Sequence, residues 1–170
     1  MNKLFVSTFC LFFVLFSCKR TQNANGDHSE TESQEITEKD ISNIDYIEFL
    51  LDEKTEVHVS DWIEYNQLQE VIDNVKNADL SFFYDNKGVI DTTLIELKKN
   101  IPEPVNSPSI TARISAFETK FLKLESLSNL STTSKQELLN SVEDLLVAFS
   151  NLNLQMNKKV EFDNQDIQKP

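Results

Sequence analysis

The side chains with the richest chemistry are scarce in this 170-residue sequence: two cysteines, Cys10 and Cys18, and two histidines, His28 and His58. A thiolate can act as nucleophile, metal ligand or half of a disulfide. Both thiols fall within the first 18 residues, so the rest of the chain has no disulfide, no C-x-x-C redox pair and no cysteine zinc site. Carboxylates are plentiful by contrast. Asp45, Glu48, Asp52, Glu53 and Glu56 lie within twelve residues, and Glu48 and Asp52, four apart, share a face of any helix built there. Hard cations such as Ca²⁺ take such oxygen clusters. No EF-hand loop accompanies them, however, and Asp85-Asn86-Lys87-Gly88 carries lysine where a ligand is needed. That run reads as a turn, the carboxylates as a solvated acidic face, and no metal site is assigned.

Catalytic constellations fare no better. A carboxylate pair can perform acid–base hydrolysis, but nothing marks one pair among so many acids. His58, Asp61 and a serine do not make a triad by proximity in sequence; His58 is expected to cap a helix or pack beside Trp62. His28, with Asp27 and Glu30, sits in a polar acidic run and reads as solvated. The chain has only two glycines, Gly26 and Gly88, and contains no G-x-G-x-x-G, Walker or G-x-S-x-G motif, all of which need glycine for tight or close-approaching backbone. No catalytic residue and no cofactor are assigned. The one binding candidate is Arg113, flanked by Ile110 and Ile114. Its stem can cover apolar surface while the head pairs with an acid of the chain or with a carboxylate-bearing partner.

Sixteen basic against 28 acidic residues give a net charge of −12. Such a surface repels nucleic acid, so nucleic acid is excluded as a partner and a basic partner fits better than an acidic one. The same balance also serves solubility.

The N-terminus reads Met1, Asn2 and Lys3, followed by 13 mostly apolar residues, 4–16, and then Ser17, Cys18, Lys19 and Arg20. One positive charge before a short apolar run is a secretory signal pattern, and the run is shorter than the roughly 20 residues a membrane span needs. Leu15-Phe16-Ser17-Cys18 resembles the lipobox of bacterial lipoproteins, with a small residue before the cysteine. The resemblance implies that residues 1–17 are a lipoprotein signal peptide and that Cys18 becomes the first mature residue, with a diacylglycerol thioether and, in many bacteria, a further acyl group such as palmitate. Removing Lys3 leaves 15 basic and 28 acidic residues, a net of −13. Several acyl chains anchor stably where one does not, so the membrane is an expected partner. Lys19 after the lipidated residue favours the outer membrane.

Residues 18–39 are expected to form a disordered acidic tether, because a stretch with no aromatic residue cannot bury enough surface to offset its ordering entropy. Residues 40–160 are expected to be an antiparallel bundle of about four helices, all-α, followed by a disordered tail over 161–170. Ile110, Ile114, Phe117, Phe121 and Leu124 recur at steps of four and three, one helix face. Ser107 is placed as N-cap and Pro108 at the first helical position. Leu138, Val142, Leu145, Phe149, Leu152 and Met156 repeat the pattern, widened by Leu139 and Leu146, with Thr133 and Gln136 as a capping box. The short link between these stripes folds them into an antiparallel pair. Trp62, Tyr65, Leu68, Ile72 and Val75 suggest a third helix starting near Ser60. Val89, Leu94, Ile95 and Leu97 suggest a fourth, ending before Pro102, and Phe82, Phe83 and Tyr84 are expected to fill the core. Residues 41–51 fit a short helix or a strand equally, and the alternation over 55–60 allows an extended segment.

The lipobox, acidic tether and helical pair together resemble the small envelope lipoproteins of Bacteroidota, a group that brings no activity to transfer. The expectation is a non-catalytic, lipid-anchored module that binds or organises an envelope protein. The alternative is a lipoprotein holding a small molecule or lipid in the bundle; an envelope hydrolase ranks last.

Overall fold

The computed structural model describes residues 35–165. Cys18, the signal, His28 and most of the tether lie outside the described residues. Six α-helices follow one another, α1 Glu38–Ser42, α2 Glu53–Val59, α3 Ile63–Lys76, α4 Lys87–Lys99, α5 Pro108–Ser128 and α6 Lys135–Asp163, with 3₁₀ turns at Ser81–Phe83 and Glu103–Val105 and no strand among the described residues. The architecture is an all-α bundle. No described helix is long and apolar enough to cross a membrane.

The α5–α6 hairpin is its spine. Every residue of the predicted α5 stripe is fully buried, Ser107 accepts the Ile110 N–H at 3.4 Å, and Pro108 sits in the first turn. Phe117 packs on Phe149 while Lys120 and Lys123 both reach Asp144 further back along α6. Partners that recede as the other helix advances mean antiparallel packing. The capping box lies one residue later than the sequence suggests: Ser134 Oγ accepts the Glu137 N–H at 3.2 Å, and the Glu137 carboxylate accepts the Ser134 N–H at 2.9 Å. A carboxylate is a stronger acceptor than the Gln136 amide. Thr133 instead closes the loop, its hydroxyl donating to the Leu127 carbonyl at 2.8 Å.

The α3 helix starts at Ile63 with Trp62 as N-cap, so Ser60 does not cap it; the Ser60 carbonyl instead accepts from the Asn66 side chain at 2.8 Å. Ala78 ends the helix in the left-handed region at φ 61°. The Asp79 N–H reaches the Asn74 carbonyl and the Ala78 N–H the Val75 carbonyl, both at 2.9 Å, a Schellman closure. Glycine usually occupies this position. Replacing Ala78 by Gly removes about 1–2 kcal/mol of left-handed strain and gives back part of it in unfolded-chain entropy and a half-buried methyl. A net gain of about 0.5 kcal/mol is expected as a higher urea midpoint; a lower midpoint refutes the assignment.

In α4 the buried face is Ile90, Leu94 and Leu97, whereas Val89 and Ile95 point to solvent at 54% and 57% exposure. The expected stripe therefore holds only in part, because Ile90, not Val89, lies one turn before Leu94. Phe82 and Phe83 join the core, but Tyr84 stays outside it. One row of ring contacts runs Trp62, Tyr65, Phe149, Phe117, Phe121, Phe83 and Phe82, with neighbouring centroids 4.8–6.0 Å apart. It ties α3 to α6 and α5 and closes the bundle.

The described helical body begins ahead of residue 40 and ends beyond 160. Ile36 is buried, and Thr37 and Asp40 form a capping box for α1. Lys135 bonds Asp40 at 2.8 Å and, with Thr37, holds that carboxyl down to about 2. Val160 is still buried in α6, and the helix runs to Asp163. Residues 41–59 are neither one helix nor a strand. Ile41 and Ser42 end α1, residues 43–52 have no regular structure, and 53–59 form α2. The segment expected to be extended, 55–60, is thus mostly helical; Asp52 nucleates it by accepting the Thr55 N–H at 3.0 Å.

Candidate functional site

Residues 43–52 cross the outside of the bundle as a strap. With no helix or sheet partner, its backbone polar groups need satisfaction elsewhere, and α6 supplies it through Ser150, Asn153 and Asn157. Steps of three and four put these residues on one helix face. Ser150 Oγ accepts the Phe49 N–H at 2.7 Å and donates to the Ile47 carbonyl at 2.8 Å. Asn153 Nδ2 donates to the Phe49 carbonyl at 3.1 Å, and its Oδ1 accepts from the Tyr65 hydroxyl at 2.9 Å. Asn157 Nδ2 donates to the Leu50 carbonyl at 2.8 Å, and its Oδ1 accepts the Asp52 N–H at 3.1 Å. Ile44, Tyr46 and Leu51 turn inward onto the core. Ile47 and Leu50 turn outward, 74% and 69% exposed.

Between the strap, α2 and α3 lies a cleft of about 520 Å³ that opens to solvent. Tyr65, Phe149 and Asn153 form its floor, Glu48 and Glu56 stand on the strap and α2 side, and Asn66, Gln69, Asp73 and Lys76 on the α3 side. Lys76 bonds both Glu48 and Asp73. Partial burial works against its charge, yet these two carboxylates raise its pKa. Glu56 makes no ion pair among the described residues, which leaves three carboxylates against one ammonium. Burial pushes the Tyr65 hydroxyl far up, with Asp73 and Glu56 adding to it, so it stays a neutral donor to Asn153.

The predicted acidic cluster is dispersed. Glu48 and Asp52 share no helix face: Glu48 is on the strap and Asp52 is the α2 N-cap, followed by Glu53 and Glu56 in the first turn. No group of three or more His, Cys, Asp and Glu among the described residues is placed to hold a metal ion. Arg113 is exposed on α5, makes none of the described ion pairs, and does not line the cleft. His58 and Asp61 are both exposed, and no described hydrogen bond joins His58 to a serine. Sequence reasoning missed Ser150, Asn153 and Asn157. Their signal was available: a polar row at steps of three and four beside the apolar residues Phe149, Leu152 and Met156.

The fold and site define an all-helical body with a backbone-clamped strap over an acidic surface cleft. No protein-family model matches the chain, and no curated protein and no solved structure matches it significantly.

Proposed function

We propose that the chain is a lipid-anchored, non-catalytic module of the cell envelope, attached through Cys18 with the outer membrane favoured, whose helical body binds or organises a protein partner. The observation that carries this reading is Leu15-Phe16-Ser17-Cys18 at the end of a 13-residue apolar run, followed by polar acidic sequence. The 17 residues between Cys18 and the buried Ile36 span at most roughly 60 Å stretched and about 23 Å relaxed, enough to hold the body clear of headgroups. Replacing Cys18 by Ala should abolish incorporation of labelled palmitate and move the protein out of the membrane fraction; full retention of the variant would refute the anchor.

A second reading, a small molecule held by the body, draws support from the cleft floored by Tyr65 and Phe149. Ligand mass retained in native mass spectrometry would select it.

A further inference from the structure

We infer that the cleft and the free edge of the strap dock a basic, extended segment of a protein partner. The inference rests on the partner-binding reading above and not on the anchor.

The strap is already half of a peptide complex. The clamp on α6 recognises backbone atoms of Ile47, Phe49, Leu50 and Asp52 and no strap side chain. From Ser150 to Asn157 the helix rises about 10 Å at 1.5 Å per residue, and the five steps from 47 to 52 cover that length at about 2 Å each, a looser course than an α-helix. Only part of its backbone is engaged. Among the described residues the N–H groups of Tyr46, Ile47 and Glu48, and the carbonyls of Tyr46 and Glu48, make no hydrogen bond. Unpaired backbone on a segment outside any helix or sheet, with Ile47 and Glu48 exposed, offers groups with which a second, extended chain can pair.

Charge selects which chain. Glu48, Glu56 and Asp73 line the cleft with Lys76 as the one cation among its described lining residues, on a protein of net charge −12. An arginine of the incoming segment fits the cleft: its planar fork matches carboxylates such as Glu56 and Asp73, and its stem lies over the Tyr65 and Phe149 floor. Apolar residues that alternate with the basic ones meet Leu50, which lines the cleft and which the body leaves uncovered. The same carboxylates disfavour an acidic peptide.

The test is a fluorescence anisotropy titration of the full chain, held in mild detergent, with a labelled, end-blocked peptide of alternating valine and arginine. Saturable binding is expected, weakened about tenfold or more by Glu56→Gln with Asp73→Asn and little changed by Asp85→Asn with Glu143→Gln, which neutralises two exposed acids that do not line the cleft. N-methylating alternate peptide amides should also weaken it. Circular dichroism melts check that both double variants stay folded. No saturable binding, an equal loss in both double variants, or unaltered affinity of the N-methylated peptide overturns the inference. A chain that fractionates with membranes through Cys18 but fails this titration overturns the docking site alone; a chain that binds the peptide but ignores the loss of Cys18 overturns only the anchor.

Discussion

Replacing Phe121 by Ala should destabilise the helical body by about 3–5 kcal/mol, read as a fall in the urea midpoint at unchanged slope. Phe121 is fully buried and meets Phe82, Phe83 and Phe117 at centroid distances of 6.2, 4.8 and 5.5 Å. It is where the 3₁₀ turn before α4 fastens onto the α5–α6 spine. Truncation removes the ring's transfer energy and leaves a cavity that stiff aromatic neighbours on three sides cannot readily fill. Domains of this size are stable by about 5–15 kcal/mol, so the variant should sit near the edge of folding. Phe162, 65% exposed near the end of α6, provides the contrast; Phe162→Ala should shift stability by no more than about 0.5 kcal/mol. Equal effects at the two positions would refute the aromatic row as the core.

Asn153→Leu should cost about 2–4 kcal/mol, for a different reason. The side chain is buried and holds the Tyr65 hydroxyl and the Phe49 carbonyl at once. Its loss strands two polar groups, and each buried orphan costs about 1–3 kcal/mol. The test lies in the double variant. Tyr65→Phe removes one orphan, so Asn153→Leu with Tyr65→Phe should be less destabilised than the sum of the single changes; strict additivity would mean that the pair is not coupled. Hydrogen exchange gives a second readout, because the Phe49 amide, bonded to Ser150, should lose protection in Asn153→Leu well before amides in the middle of α5.

Legibility in the sequence followed the range of the interaction. The α5 stripe, the α6 stripe and the Ser107–Pro108 start depend on residues within a few turns of one another, and periodicity displays them directly. The α6 cap is legible only to within one residue, because Thr133 and Ser134 both precede a residue able to reach back, and the acceptor strength of Glu137 separates the two. Val89 and Ile90 stand side by side as apolar residues, and Ile95 beside Leu94, so local sequence does not say which of each pair faces the core; the packing chooses Ile90 and Leu94. The strap was illegible for a stronger reason. Its conformation depends on Ser150, Asn153 and Asn157, 101 to 107 positions away, and residues 43–52 contain nothing that announces such partners. The cleft between strap and α3 was hidden with it. The type and position of Arg113 suggest a binding residue, yet it is exposed and does not line the cleft.

The order of the elements also decides how the body meets mechanical load. A pull on the chain ahead of residue 35 is borne first by Ile36, then by the Asp40–Lys135 bridge, then by the strap's side-chain bonds to α6. None of these is a ladder of backbone pairs: the burial of one side chain is small, and water can replace the ion pair and each hydrogen bond singly. The aromatic row comes under tension only after they have let go. Residues 36–52 therefore form a compliant section in series with a stiff hairpin, expected to lengthen under force before the α5–α6 spine does.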